Sequence, residues 1–190
     1  MTATPAAALQ ALLKELAGLK SAMQSSIASR RETVAARKAE IDQKRKNLLE
    51  KGKSQSPIDS AWLSACVNAA KQKDAVIVNE LGLNVAHLQM DTYGSYIGGN
   101  MSGGLGFGLG AALGAKLAAP DREVIAVVGD GSYMFGNPLP YHFVARAEKL
   151  PTLTIVANNH AWHAVRNATL SVYPDGVAAK ANVMPLTSLD

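Results

Sequence analysis

The chain has 190 residues, 48% of them apolar, a net charge of +4 at neutral pH and one cysteine. That length holds one full domain and something more, and the apolar content permits a buried core. The single Cys66 excludes an internal disulfide and fits a reducing, cytoplasmic setting.

The charge is local. Residues 30–53 hold nine Lys/Arg and four Asp/Glu, a balance of +5, and the remainder holds ten and eleven, a balance of −1. Acids are interleaved there and aromatics are missing, so a solvated helix face is expected rather than a nucleic-acid surface. The opening residues lack a basic leader, and Lys14 and Glu15 interrupt their apolar run. The apolar stretch 103–115 is too short and too glycine-rich to span a bilayer, so no membrane partner is expected.

Thr4-Pro5 suits a helix start, a capping hydroxyl before proline at the first position. Leu9, Leu12, Leu13, Leu16, Leu19, Met23 and Ile27 follow at helical spacings, and helix is expected to about Glu50. Ile27, Val34, Ile41 and Leu48 recur every seven residues but lack the second stripe of a coiled coil. The stretch KGKSQSP reads as a linker. Ser56 is then expected to cap a second helix, with Pro57 first in it, Asp59 reaching back, and Ile58, Trp62, Cys66 and Val67 as its buried face.

From there strands and helices alternate. DAVIVNE reads as a strand ending near Asn79 and Glu80, and a glycine-rich helix covers about Ser102 to Leu117. REVIAVV is a strand, Asn137-Pro138 starts a helix reaching about Lys149, and TLTIVA is a strand ending at Asn158-Asn159. This order implies an α/β fold, a doubly wound parallel sheet with right-handed crossovers. The expected division is a helical segment and linker over 1–55 and the α/β domain over 56–190, preceded by that long helix.

Ligands of such sheets bind outside the carboxyl ends of the strands. Glu80, Asp130 and the Asn158-Asn159 pair all fall there. A carboxylate, an amide oxygen and a backbone carbonyl form a hard oxygen set that suits Mg²⁺, which completes its shell with phosphate and water. Gly129 and Gly131, flanking Asp130, expose backbone N–H groups to phosphate oxygens. Taken alone, Asp130 and the Asn pair are ordinary turn residues. What distinguishes them is their pairing. Twenty-six residues, Ser132 to Ala157, separate GDG at one strand end from NN at the next.

The GDGS…NN constellation resembles the signature of thiamine-diphosphate-dependent enzymes of the acetolactate synthase, benzoylformate decarboxylase and pyruvate decarboxylase group. SGGLGFGLGAALGAKLAAPDREVIAVVGDGSYMFGNP resembles that group almost throughout, and ATLSVYPDG resembles its acetolactate-synthase-like branch. The resemblance covers roughly residues 56–190. It implies a domain that binds thiamine diphosphate and Mg²⁺ and belongs to a 2-keto-acid decarboxylase or carboligase. Asp130, Asn159 and the carbonyl of Ala161 would hold the metal, and Gly129, Gly131 and Ser132 would meet the diphosphate. Leu105 would be the wedge that bends the cofactor, with Gly104 beside the aminopyrimidine. Glu80 would be the acid before the phosphate-contacting loop, and Gly82, where some relatives carry a hydroxyl, would offer only backbone.

The group also has a pyrimidine-binding domain that carries the catalytic glutamate, and none is visible in this sequence. The expectation is therefore a fragment or subunit, incomplete at its C-terminus. It would work in a homo- or hetero-oligomer and decarboxylate no pyruvate by itself. No catalytic residue is assigned within the chain.

His160 and His163 are three apart with no further ligand, a poor zinc pattern, and read as loop histidines. Trp162 reads as packing. Two other functions were weighed. Gly106, Gly108 and Ala111 match the dinucleotide pattern G-x-G-x-x-A, but YIGGNMSGG precedes it where a strand is required. A truncated, non-catalytic interaction module using the basic helix is the remaining alternative.

Overall fold

The computed structural model describes residues 4–99 and 104–181. The chain forms two compact units that divide between Glu50 and Lys51. No helix among the described residues is long and apolar enough to cross a membrane.

The first unit is helical. Helix α1, Pro5–Leu19, starts as its sequence requires: Thr4 Oγ1 accepts the Ala7 N–H and Pro5 takes the first position. The helix breaks at 20–23, and α2 runs from Gln24 to Gly52. The expected helical segment to about Glu50 is thus two helices rather than one continuous rod. The leucines of α1 are exposed, Leu13 at 66%. On α2, Arg37 and Lys44 pair with Glu40, while Lys38 and Arg45 pair with Asp42, all at the surface.

The second unit is built on a sheet. Its described strands are β1 (Val76–Glu80), β2 (Tyr96–Gly98), β3 (Val124–Gly129) and β4 (Leu153–Ala157), all parallel, in the order β2-β1-β3-β4. The sequence pattern missed β2, whose three residues are too few to show a period. Successive side chains point to opposite faces. Val76, Val78, Val124 and Ala126 pack on Ala112 of α4 (Phe107–Ala118). Ile77, Ile125 and Val127 pack on Val67 of α3 (Ser60–Ala70). Helices thus cover both faces, which is the doubly wound arrangement.

Helix α3 departs from expectation at its start. Asp59, not Ser56, is the cap: its Oδ1 accepts the N–H groups of Ala61 at 2.8 Å and Trp62 at 3.3 Å. Pro57 and Ile58 therefore precede the helix, and Ile58 is 71% exposed. The buried face is Ala61, Ser64 and Val67, every third residue, which leaves Cys66 exposed rather than in the core. Helix α4 begins at Phe107, and the expected start at Ser102 lies outside the described residues.

After β3 the chain enters helix directly. Helix α5 is Asp130–Phe135, α6 is Pro138–Ala147, α7 is His163–Val172 and α8 is Val177–Ala181. Tyr141 of α6 is buried, and its hydroxyl bonds to Thr152, just before β4, and to Thr154 within it.

Candidate functional site

The strand order reverses between β1 and β3, and a doubly wound sheet opens its ligand crevice at the carboxyl ends beside such a reversal. Glu80 ends β1 and Gly129 ends β3, where Glu80 pairs with Val128 and Gly129 with Ala157 of β4. A cavity of about 420 Å³ opens there, lined by the 81–84 loop, Gly129–Ser132, Asn159, Ala161 and the first turn of α7. Leu105 and Ser60 complete its wall.

Asp130 is 1% exposed. Its Oδ1 accepts the Gly131 N–H at 2.9 Å and its Oδ2 accepts the Asn159 N–H at 3.2 Å. It is the first residue of α5 rather than a loop residue, so the carboxylate also sits at a helix N-terminus. Among the described residues no lysine or arginine pairs with it, and a buried carboxylate without a cation is costly. Asn159 Oδ1 accepts the Ala161 N–H at 3.0 Å, and Asn158 Oδ1 accepts the His160 N–H at 3.1 Å. The asparagines thus do serve as turn residues, with His160 at a positive φ of 56°. Asn159 and Ala161 line the same cavity as Asp130. The Ala161 carbonyl accepts the His163 N–H at 2.7 Å and keeps its second lone pair. Asp130, Asn159 and Ala161 could offer carboxylate, amide and carbonyl oxygens, the kind of donors a hard divalent cation takes.

The small residues have distinct reasons. A Cβ on Gly131 would lie 2.7 Å from the Trp162 ring, so this glycine makes room for the indole. A Cβ on Gly82 would lie 2.8 Å from Val127, so that glycine lets the loop close on the sheet. Of these three glycines, Gly129 has the most room, with no neighbour closer than 3.8 Å. The expectation that both glycines of GDG expose their backbone N–H groups meets a different arrangement at Gly131, whose N–H goes to Asp130 Oδ1. Ser132 is buried beside them in α5.

Glu80 is 3% exposed, and its carboxylate is bonded to backbone amides. Oε1 accepts the Gly106 N–H and Oε2 the Gly108 N–H, each at 2.5 Å. Gly106 caps α4 at a φ of 86°. A dinucleotide pyrophosphate would need these same amides. The acid already occupies them, so the G-x-G-x-x-A match carries no dinucleotide site. Leu105, just before this turn, lines the large cavity and also a second one of about 310 Å³. Gly104 and Glu80 line the second. Leu81 and Leu83 line both, so three leucines partition the crevice.

Two residues escaped the sequence reading. Buried Asn79 receives the N–H groups of Gly82 at 3.3 Å and Leu83 at 3.1 Å, and it donates to the Tyr96 hydroxyl. Its place beside Glu80 at a strand end was the available signal. Ser64 donates to the Ser60 carbonyl and accepts the Asn84 N–H, and no local pattern marks it. His160 and His163 are exposed. His163 lines the large cavity, and no group of three His, Cys, Asp or Glu able to hold a metal occurs among the described residues.

Residues 81–186, more than half of the chain, match the family model described as thiamine pyrophosphate enzyme, C-terminal TPP binding domain. The chain belongs to the thiamine-diphosphate-dependent enzymes. Its fold is similar to that of the thiamine diphosphate-dependent 4-hydroxybenzoylformate decarboxylase of Rhodococcus jostii RHA1, with a TM-score of 0.61 and 33% identity. That similarity covers 73% of this chain and 26% of the decarboxylase, so the chain spans a minor part of its relative's length. No curated protein matches. The cofactor of this thiamine-diphosphate-binding domain is thiamine diphosphate, and magnesium is the usual partner ion in the family.

Proposed function

We propose that the chain is the diphosphate- and Mg²⁺-binding part of a 2-keto-acid decarboxylase or carboligase of the acetolactate-synthase-like kind. One observation carries the reading: Asp130 and Asn159, at the ends of neighbouring strands, are hydrogen-bonded and line one cavity. Asp130, Asn159 and the Ala161 carbonyl would hold the cation. The Gly129 backbone and the Ser132 hydroxyl would meet diphosphate oxygens, while Gly82 and Gly131, whose N–H groups go to Asn79 and Asp130, would shape the loops around them. Leu105, with Leu81 and Leu83, would separate the two arms of the bound molecule, Gly104 lying beside the second arm.

When bound, thiamine diphosphate supplies the electron sink that decarboxylation or carboligation of a 2-keto acid requires. The residues of this chain bind and orient it, and the leucine partition keeps water from its apolar middle. A 2-keto acid substrate agrees with the 4-hydroxybenzoylformate named for the Rhodococcus decarboxylase. A pyrimidine-binding domain, on this or another chain of an oligomer, would complete the site and bring the catalytic glutamate. In this reading residues 56–190 form the cofactor domain, and 1–55 resemble the end of a preceding one.

Calorimetric titration of thiamine diphosphate into the purified chain tests the reading. Binding with Mg²⁺ that EDTA abolishes is expected. Binding indifferent to EDTA overturns the metal assignment, and no binding with Mg²⁺ counts against a preformed half-site.

A further inference from the structure

Asn79 and Glu80 are consecutive at the end of β1, so the pleat sends them to opposite faces. Asn79 holds the 81–83 loop on the α3 side. Glu80 reaches the first turn of α4 on the other. We propose that Glu80, which also lines the second cavity, is a positioning residue that caps α4 from a different element and so fixes Leu105 and Gly104 for the thiamine half of the cofactor. The inference rests on the cofactor reading above.

The physical case is local and specific. The first four N–H groups of a helix lack partners within it, and Gly106 has no side chain with which to cap α4. Glu80 satisfies two of them, one per carboxylate oxygen, at 2.5 Å. A carboxylate on a helix N-terminus is stabilised by the dipole and by charge-assisted hydrogen bonds. The turn is held from its other side too. A Cβ on Gly106 would lie 2.8 Å from the Gly136 backbone, and one on Gly108 would lie 2.8 Å from Glu80 Oε2. Little slack remains, so the carboxylate sets where Leu105, the preceding residue, stands between the two cavities. The diphosphate candidates Gly129–Ser132 hang instead on β3, and Asp130 anchors them independently of Glu80.

This independence makes the test. In Glu80→Gln the shape remains, but the side-chain NH₂ faces one backbone N–H. Calorimetry with Mg²⁺ should show thiamine diphosphate bound about tenfold or more weakly, while inorganic diphosphate changes by less than about twofold. Equal losses for both ligands would reveal a general structural role and overturn the proposal. So would unchanged affinity for both. Gly108→Ala displaces the carboxylate from the opposite side and should reproduce the split, which covers the case in which E80Q does not fold. The amide protons of Gly106 and Gly108, read by NMR without ligand, should move upfield in E80Q, and unmoved shifts exclude the clamp. A parent chain that binds no thiamine diphosphate would overturn the cofactor reading instead, and the amide shifts then decide the clamp alone.

Discussion

Asp130 Oδ2 accepts the backbone N–H of Asn159 at 3.2 Å, joining the ends of β3 and β4 across 29 positions of sequence. One side chain therefore does two things. It fixes the turn that presents Asn159, and it contributes a buried negative charge to the cavity. The two roles separate by substitution. Asp130→Asn keeps an acceptor and the shape but removes the charge. The difference in thiamine diphosphate affinity between Mg²⁺ and EDTA should vanish, with the fold retained by circular dichroism. Asp130→Ala should abolish Mg²⁺-dependent binding as well and lower stability by about 1–3 kcal/mol, because the Gly131 and Asn159 amides lose their acceptor. A D130N variant with the parent's metal dependence would remove Asp130 from the metal site.

Gly131 is expected to tolerate no side chain. The Cβ of Gly131→Ala would meet Trp162 Cε3 at 2.7 Å, so the indole must move. A loss of about 1–3 kcal/mol is expected, with a change in the near-UV signal of tryptophan. In a Trp162→Leu background the same substitution should cost less than half as much, since the obstacle is gone. Additive losses in the double variant would show that the contact does not explain the glycine.

Ser64→Ala should loosen the wall of the cavity from beneath. The hydroxyl accepts the Asn84 N–H at 2.8 Å and is buried in α3. Its removal leaves that amide without an acceptor, at about 1–3 kcal/mol. Hydrogen exchange at Asn84 should accelerate more than exchange in β3. Uniform acceleration across the unit would mean that Ser64 supports the core rather than the loop.

Helix α2 carries a pH dependence of known sign. The hydrogen bond from Lys38 holds the Asp42 carboxyl below its ordinary value of 3.8, aided by the charges of Lys38, Arg45 and Lys46 and opposed by desolvation. A depressed acid stabilises the folded state above its unfolded pKa and loses that contribution as pH falls through the folded value. The Asp42 contribution should therefore be constant above about pH 4 and disappear only below 3.8. Lys38→Ala should bring the Asp42 midpoint, followed by carboxyl NMR, back towards 3.8. High salt should do part of the same, because the group is exposed. A midpoint unchanged by K38A would mean that the ion pair does not form in solution.

Much of the sheet was legible because parallel strands buried on both faces are short runs of β-branched residues, and AVIV and VIAVV are such runs. The start of α3 was misread because Ser56 and Asp59 both fit a capping pattern. Only the folded chain shows which side chain reaches the amides of Ala61 and Trp62. Cys66 was misplaced for a related reason. A helix has several candidate faces, and contact with the sheet selects Ala61, Ser64 and Val67.

The sequence by itself determined the alternation of strand and helix, the strand ends to within a residue or so of Glu80, Gly129 and Ala157, and the motif that places Asp130 and the Asn158-Asn159 pair beyond two of them. These follow from local periodicity and from residues whose chemistry is conspicuous. Tertiary structure alone decided that Glu80 spends its carboxylate on the backbone of α4, that Gly131 yields its space to Trp162, and that three leucines divide the crevice. Each of those depends on atoms brought together from separate elements, where hydrogen-bond reach and steric exclusion act over a few ångströms and sequence distance carries no information.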